Sequence, residues 1–380
     1  MPILKREVVP PLSHSYERHA HPSRDLVFVS AGLGLDGGGR AAAGRLMAAA
    51  CQDFARERGI GFHLLTLEGR GLPDAEAPER SFGGDQRALA LEVWKRQARD
   101  RRRSAYVFDL LGPARVQAYL PGLLRSPYLL PFYGIEVWRP LEWDRRRAIA
   151  KATVAFSISA HTLERARPFL PARTEAAVLP LALEERRAEG AVDASLLARI
   201  GKGFFLIVGR MDARERYKGH DQILEALPVL PDARLVVAGD GDDRRRLEEK
   251  AAAMDLQDRV TFTGFLSEAT LAELYRRCAA FVMPSRGEGF GLVYLEAMRA
   301  GKPVVAARGT AAEEIVVEEA TGLLVQAESR LELRNALARL IGYPGEARRM
   351  GEAGHERWRR EFGAERFRER LAPMLERLVG

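Results

Sequence analysis

Ala279-Ala280-Phe281-Val282-Met283-Pro284-Ser285-Arg286-Gly287-Glu288-Gly289-Phe290-Gly291-Leu292-Val293-Tyr294-Leu295-Glu296-Ala297-Met298 is the stretch from which the architecture follows. Its first five residues are an unbroken apolar run, the pattern of a parallel strand covered on both faces. Residues 292–299 read as a helix, and the proline and glycines between the two runs form a loop. Glu288 therefore lies on a strand-to-helix loop and Glu296 on the second turn of the helix. Such a loop bares N–H groups at a helix N-terminus, where unpaired donors and the helix dipole stabilise an anion. Gly289 and Gly291 let the backbone approach a ligand closely. One place thus offers carboxylates to hydroxyl-rich groups and N–H groups to phosphate, and a nucleotide sugar requires both. A strand, a glycine turn and a helix recur throughout doubly wound folds, so the pair of glutamates gains its weight from a second element.

That element is Phe204-Phe205-Leu206-Ile207-Val208-Gly209-Arg210-Met211, followed by Tyr217-Lys218-Gly219-His220-Asp221. Residues 204–208 read as another buried strand, with Arg210 at its carboxyl end and Lys218 before the next helix. Ligands of open parallel sheets bind beyond the carboxyl ends of the strands. Arg as a planar fork and Lys as a point charge suit a diphosphate. The other reading is a solvated basic loop, since Arg214 and Arg216 lie between them.

Arg210 with Lys218, then Gly239-Asp240-Gly241, then Thr263-Gly264-Phe265, then Glu288 and Glu296 stand in the order seen in retaining glycosyltransferases of family 4. The chain resembles that family most densely over residues 204–325. The resemblance implies GT-B architecture: two facing doubly wound Rossmann-like α/β domains, with a C-terminal helix crossing back to the N-terminal one. It implies that Glu296 holds the donor ribose. Glu288 and the backbone of Gly289, Phe290, Gly291, Leu292 and Val293 meet the transferred sugar. Arg210 and Lys218 neutralise the diphosphate leaving group, and Gly264 and Phe265 join the donor site. The loop from Arg210 to Lys218 is longer than in many relatives.

Apolar runs at 26–30, 62–67, 105–110, 128–132, 154–158 and 176–179 alternate with helical patterns such as 40–58 and 86–99. A second series runs at 204–208, 235–238, 260–262, 279–283, 304–306 and 323–325. Alternation of this kind implies two parallel, doubly wound sheets. The expected division is 1–185 for an acceptor-side domain, 186–355 for a nucleotide-sugar domain and 356–380 for the returning helix.

With 380 residues, 47% hydrophobic and 29% charged, the chain has ordinary globular composition for about two domains. Cys51 and Cys278 both read as core-compatible residues in helical contexts, which argues against a disulfide framework or zinc site. No leader and no apolar run of spanning length is legible, so the expected location is cytoplasmic. Residues 1–180 carry a net charge of +8 and the remainder −1, with clusters at Lys95-Arg96, Arg101-Arg102-Arg103 and Arg145-Arg146-Arg147. Two readings stand: a face for anionic lipid or a lipid-pyrophosphate acceptor, including peripheral contact with a membrane, or solvated decoration. No nucleic-acid-binding module is legible.

Gly32-Leu33-Gly34-Leu35-Asp36-Gly37 fits the dinucleotide fingerprint, but the next strand-end acid, Glu68, is 31 residues past Gly37. Gly37-Gly38 instead matches the glycine loop that the family turns toward its donor. Asp240-Gly241-Asp242 has the form of a metal-holding D-x-D but reads as a turn and helix N-cap, so no metal cofactor is expected. At Phe132-Tyr133-Gly134-Ile135-Glu136 many relatives carry His where this chain has Tyr133, whose hydroxyl can still bond a sugar oxygen. His161 either faces the acceptor or is structural. Asp109 either binds acceptor or caps the next segment.

The resulting expectation is a retaining, metal-independent hexosyltransferase that uses a UDP- or GDP-sugar donor and a hydroxyl acceptor, lipid-linked among the options. The alternatives are a nucleotide-sugar epimerase of similar architecture and a nucleotide-sugar-binding protein without turnover.

Overall fold

The computed structural model describes residues 25–34, 38–69, 79–100, 103–184 and 190–380. The chain divides into two compact units, Met1–Ala182 with Ala364–Gly380, and Leu183–Gly363.

Among the described residues, the first unit is built on seven parallel strands. Its elements in chain order are β1 (Asp25–Gly32), α1 (Gly38–Arg58), β2 (Gly61–Glu68), β3 (Glu79–Ser81), α2 (Gln86–Asp100), β4 (Ser104–Phe108), α3 (Leu111–Ala114), β5 (Tyr128–Phe132), α4 (Trp143–Lys151), β6 (Val154–Ser157), α5 (Ala160–Ala166) and β7 (Ala177–Val178). The sheet order is β3-β2-β1-β4-β5-β6-β7. All five residues of β4 and of β5 are buried, as a parallel strand covered on both faces requires. Val27, Tyr106, Phe108, Tyr128 and Phe132 make the centre of the core.

The second unit contains α6 (Ala194–Ile200), β8 (Phe205–Val208), α7 (His220–Ala226), β9 (Leu235–Ala238), α8 (Arg244–Ala253), β10 (Val260–Gly264), α9 (Glu268–Arg277), β11 (Ala280–Met283), α10 (Leu292–Arg299), β12 (Val304–Ala307), β13 (Gly322–Val325), α11 (Arg330–Gly342) and α12 (Pro344–Glu361). Its parallel sheet has the order β10-β9-β8-β11-β12-β13. In both sheets the chain winds outward from the middle strand, then crosses over and winds outward the other way. The reversal lies between β1 and β4 in one unit and between β8 and β11 in the other, and the carboxyl ends there form the crevice where open α/β sheets bind ligands.

The last helix, α13 (Ala364–Val379), packs on α1, β4, β5 and β6 of the first unit. The expected boundary at 355/356 falls inside α12, which belongs to the second unit and buries Trp358 there. The crossover is at Gly363 instead, because the amphipathic charge pattern runs through both helices and does not mark the break. At the other crossing the expected 185/186 lies within the residues not described, and the units divide at Ala182/Leu183, where Leu183 N donates to Phe362 O at 3.0 Å. Cys51 and Cys278 are buried and free, with Cys278 just past the end of α9 rather than in it. No helix among the described residues is long and apolar enough to cross a membrane.

Candidate active site

At the reversal of the second sheet, two loops are fastened together. After β8, Met211 N donates to Asp240 O at 2.9 Å, which carries the chain alongside the end of β9. The side chain of Asp212 then accepts from Arg214 N at 3.0 Å and starts the 3-10 turn Ala213–Lys218. The turn ends at Gly219 in the left-handed region, φ 95°. A Cβ there would stand 2.7 Å from the ring of Pro284, so glycine is what lets this loop lie against the loop after β11. Arg286 N closes the join by donating to Tyr217 O at 3.0 Å.

Arg210 and Lys218 converge on one carboxylate. Lys218 Nζ is 2.6 Å from Glu215 Oε2, and the Arg210 guanidinium pairs with Glu215 Oε1. The extra residues between Arg210 and Lys218 thus fold into a turn whose acid faces both cations. Glu288 is half-buried on the neighbouring loop, where Ser285 Oγ approaches its Oε1 at 3.4 Å. Burial raises its pKa, and the ammonium of Lys218 opposes that rise. Burial likewise raises the pKa of the Tyr217 hydroxyl, with the Glu288 carboxylate adding to it.

Gly291 occupies the N-cap of α10 with φ 94°, and no side chain caps that helix. A Cβ on it would fall 2.5 Å from the Tyr294 ring. Tyr294 Oη donates to Met283 O at 2.9 Å, fixing α10 to the end of β11. Glu296 faces α9, where Tyr275 Oη donates to its Oε2 at 2.7 Å. Burial raises the Glu296 pKa, against the Tyr275 hydrogen bond and the charge of Arg299.

Gly264 ends β10 in the left-handed region, and Phe265 beyond it is 78% exposed. Asp240 accepts from Gly241 N at 2.8 Å and pairs with Arg244 at 3.4 Å, while Asp242 Oδ1 accepts from Ala213 N at 2.7 Å. The D-x-D segment is a turn, but the N-cap of α8 is Asp243, whose carboxylate binds Arg216 and Arg246 instead of the helix N–H groups. The expected N-cap is corrected by one residue.

Gly37 lies outside the described residues; Gly38 begins α1 with φ 63°. Asp109, Tyr133 and His161 all belong to the first unit. Asp109 is buried at the end of β4. Its Oδ2 accepts from Ser30 Oγ at 2.5 Å, and its Oδ1 accepts from Ala31 N at 3.1 Å. It caps nothing: the N-cap of α3 is Leu110. Burial pushes the Asp109 carboxyl up to about 7, against the Ser30 and Ala31 hydrogen bonds. Tyr133 follows β5, its N–H donating to Glu136 Oε1 at 2.5 Å. Burial first, then the charges of Asp109 and Glu136, raise its hydroxyl pKa. The ring of His161 meets that of Trp138 edge-on at 5.9 Å.

Glu215 and Tyr275 escape the sequence reading. Glu215 is three residues before Lys218 and reads as one more charge in a basic loop. Tyr275 lies 21 residues before Glu296, at a separation that carries no local signal.

The family described as Glycosyl transferases group 1 matches residues 192–357. The chain is 31% identical over 220 residues to an alpha-D-kanosaminyltransferase of Streptomyces kanamyceticus, covering 53% of this chain and 55% of that protein. It is 33% identical over 141 residues to a GDP-mannose-dependent alpha-(1-6)-phosphatidylinositol monomannoside mannosyltransferase of Mycolicibacterium smegmatis, covering 34% and 37%. The chain thus spans about half the length, or less, of these curated relatives. Among solved structures, Anabaena HepE in complex with UDP matches over 93% of this chain and 99% of its own, with TM-score 0.74 and 19% identity. Residues 192–357 are thus similar to the group 1 glycosyltransferases, and the two parallel Rossmann-like sheets, matched along nearly their whole length by solved structures, give the chain the GT-B fold.

Proposed function

We propose that the protein is a retaining glycosyltransferase that moves a hexose from a UDP- or GDP-sugar to an acceptor hydroxyl. The observation that carries the reading is the convergence of Arg210 and Lys218 at the β8/β11 reversal, beside Glu288 and the uncapped end of α10. Negative charge grows on the diphosphate as its bond to the anomeric carbon breaks. Preorganised cations and N–H groups stabilise that charge more in the transition state than in the ground state. Glu296 holds the ribose hydroxyls, and Phe265 offers a face to the base. Glu288 and the backbone of residues 289–293 hold the sugar.

The acceptor oxygen attacks the anomeric carbon from the face that the diphosphate leaves. The C–O bond to phosphate breaks as the new glycosidic bond forms, and the acceptor proton passes to the departing phosphate oxygen. Asp240 and Asp242 are engaged with Arg244 and the backbone, and the two cations supply positive charge, so the step is read as metal-independent. We take the acceptor to be lipid-linked, on the basic character of residues 1–180 and the phosphatidylinositol-linked acceptor printed in one relative's name.

A thermal-shift panel of nucleoside diphosphates and nucleotide sugars, followed by donor hydrolysis, tests the reading. One diphosphate should stabilise the protein and its sugar conjugate should be turned over. Stabilisation by none of them would remove the donor assignment.

A further inference from the structure

The first unit displays an apolar surface that the donor site does not use. Tyr119, Leu123 and Trp143 are 57%, 87% and 62% exposed. Tyr119-Leu120-Pro121-Gly122-Leu123-Leu124 turns at its proline and glycine, which leaves Leu123 and Leu124 outside the core. The rings of Tyr119 and Trp143 meet edge-on at 5.7 Å, joining this turn to the start of α4. On its other side the turn borders a cavity of about 380 Å³, walled across from it by Trp94, Lys95 and Ala98 of α2. Single exposed apolar side chains are ordinary, but a contiguous group of this size marks an interaction surface.

Most of the exposed charge around it is positive. Lys95, Arg99, Arg103, Arg146 and Arg147 are exposed, and the Arg147 guanidinium lies 5.7 Å from the Trp143 ring centre. The acids nearby are already matched by cations. Asp144 is buried and accepts from Arg115 Nε at 2.6 Å, Glu142 stands between Arg115 and Arg145, and Asp100 pairs with Arg99. Arg101 and Arg102 lie outside the described residues.

We propose that this surface seats the first unit on an anionic lipid bilayer. Leu123 and Leu124 would enter the acyl boundary, Trp143 and Tyr119 the headgroup level, and the basic side chains would meet lipid phosphates. Aromatic rings with one polar end, and cations on long apolar stems, suit a boundary that is oily on one side and wet on the other. Each Lys or Arg near such a surface adds to the attraction. The seat rests on the lipid-linked acceptor reading for its purpose, but it is tested without any transfer reaction.

Full-length protein is sedimented with phosphatidylcholine vesicles containing phosphatidylglycerol and with phosphatidylcholine vesicles alone. Binding is expected only with the anionic vesicles, released as ionic strength approaches about 1 M, where the Debye length is about 3 Å. Leu123→Ser with Trp143→Ser, and separately Lys95→Glu with Arg146→Glu, should each weaken partitioning at least roughly tenfold. These positions are exposed, and unchanged melting and unchanged nucleotide binding confirm that each variant is folded. Tryptophan emission should shift to the blue on anionic vesicles, and Trp143→Phe should abolish the shift. Absence of binding to anionic vesicles, or binding that the apolar pair does not weaken, overturns the proposal. An acidic protein partner captured by this face without vesicle binding overturns it too. Nucleotide binding that fails while vesicle binding persists strikes the donor assignment alone.

Discussion

Glu215 decides the electrostatic state in which a donor finds Arg210 and Lys218. Two cations sharing one acid are prepaid only in part, since an incoming diphosphate has to compete with a carboxylate already in contact. Glu215→Gln should therefore tighten nucleoside diphosphate binding by about 1 kcal/mol, several-fold in Kd, measured by calorimetry. Weaker binding would mean that the acid orients the cations rather than competing for them. Arg210→Ala or Lys218→Ala should act the other way, lowering kcat by about a hundredfold. A raised KM with intact kcat would contradict that role. Glu296→Ala should cost about 1.5–3 kcal/mol of nucleotide affinity. Tyr275→Phe, which keeps the ring against Phe281 and deletes only the hydroxyl bonded to Glu296, should cost about 1 kcal/mol. Equal affinities across these two variants and the parent would dismiss the ribose assignment.

At the scale of strands and helices, Asp109 ties the end of β4 to the end of β1 through Ser30 and Ala31. Its carboxyl is held near 7, above its ordinary 3.8, so the folded protein binds a proton that the unfolded chain has released. Stability from this group is greatest below about pH 4 and falls as pH rises toward 7. Asp109→Asn, which can still accept from Ala31 and bond Ser30, should remove that decline. Denaturant titrations at both ends of the window check it: parallel pH dependences for the two proteins would refute the sign. The central strands were legible because β8, β9, β11 and their counterparts are unbroken apolar runs, buried along most or all of their length. The edge strand β3, Glu-Arg-Ser, was not, since an edge needs no apolar pattern. Loop residues such as Arg210 and Glu288 showed through their position after a strand. Their partners Glu215 and Ser285 did not, because those contacts depend on how loops fold back, and Tyr275 did not, because its bond to Glu296 depends on how α9 packs beside α10.

Across the whole chain, α13 is the piece that completes the first unit. It buries Phe367, Leu371, Met374, Leu375 and Leu378. Each is worth about 1.5–3 kcal/mol, together comparable to the entire stability of a domain. Ending the chain after Gly363 should unfold the first unit while leaving nucleotide binding by the second, read by limited proteolysis and calorimetry. A first unit that stays protease-resistant without α13 would show that its core closes on its own. The metal-independent reading predicts at this scale too: transfer should survive excess chelator. Loss restored by magnesium or manganese would overturn it.

The order of synthesis inherits this threading. Leu183–Gly363 is one unbroken segment whose sheet pairs only with itself, so its core can close while the ribosome is still adding residues. The strands of the first unit are made earlier, yet their outer face stays uncovered until residue 379 has emerged. The half translated first is thus the half that finishes last. Through that interval its apolar sheet face is open to chaperones and to misassociation, and mutations along α13 should show first as lost yield in the cell.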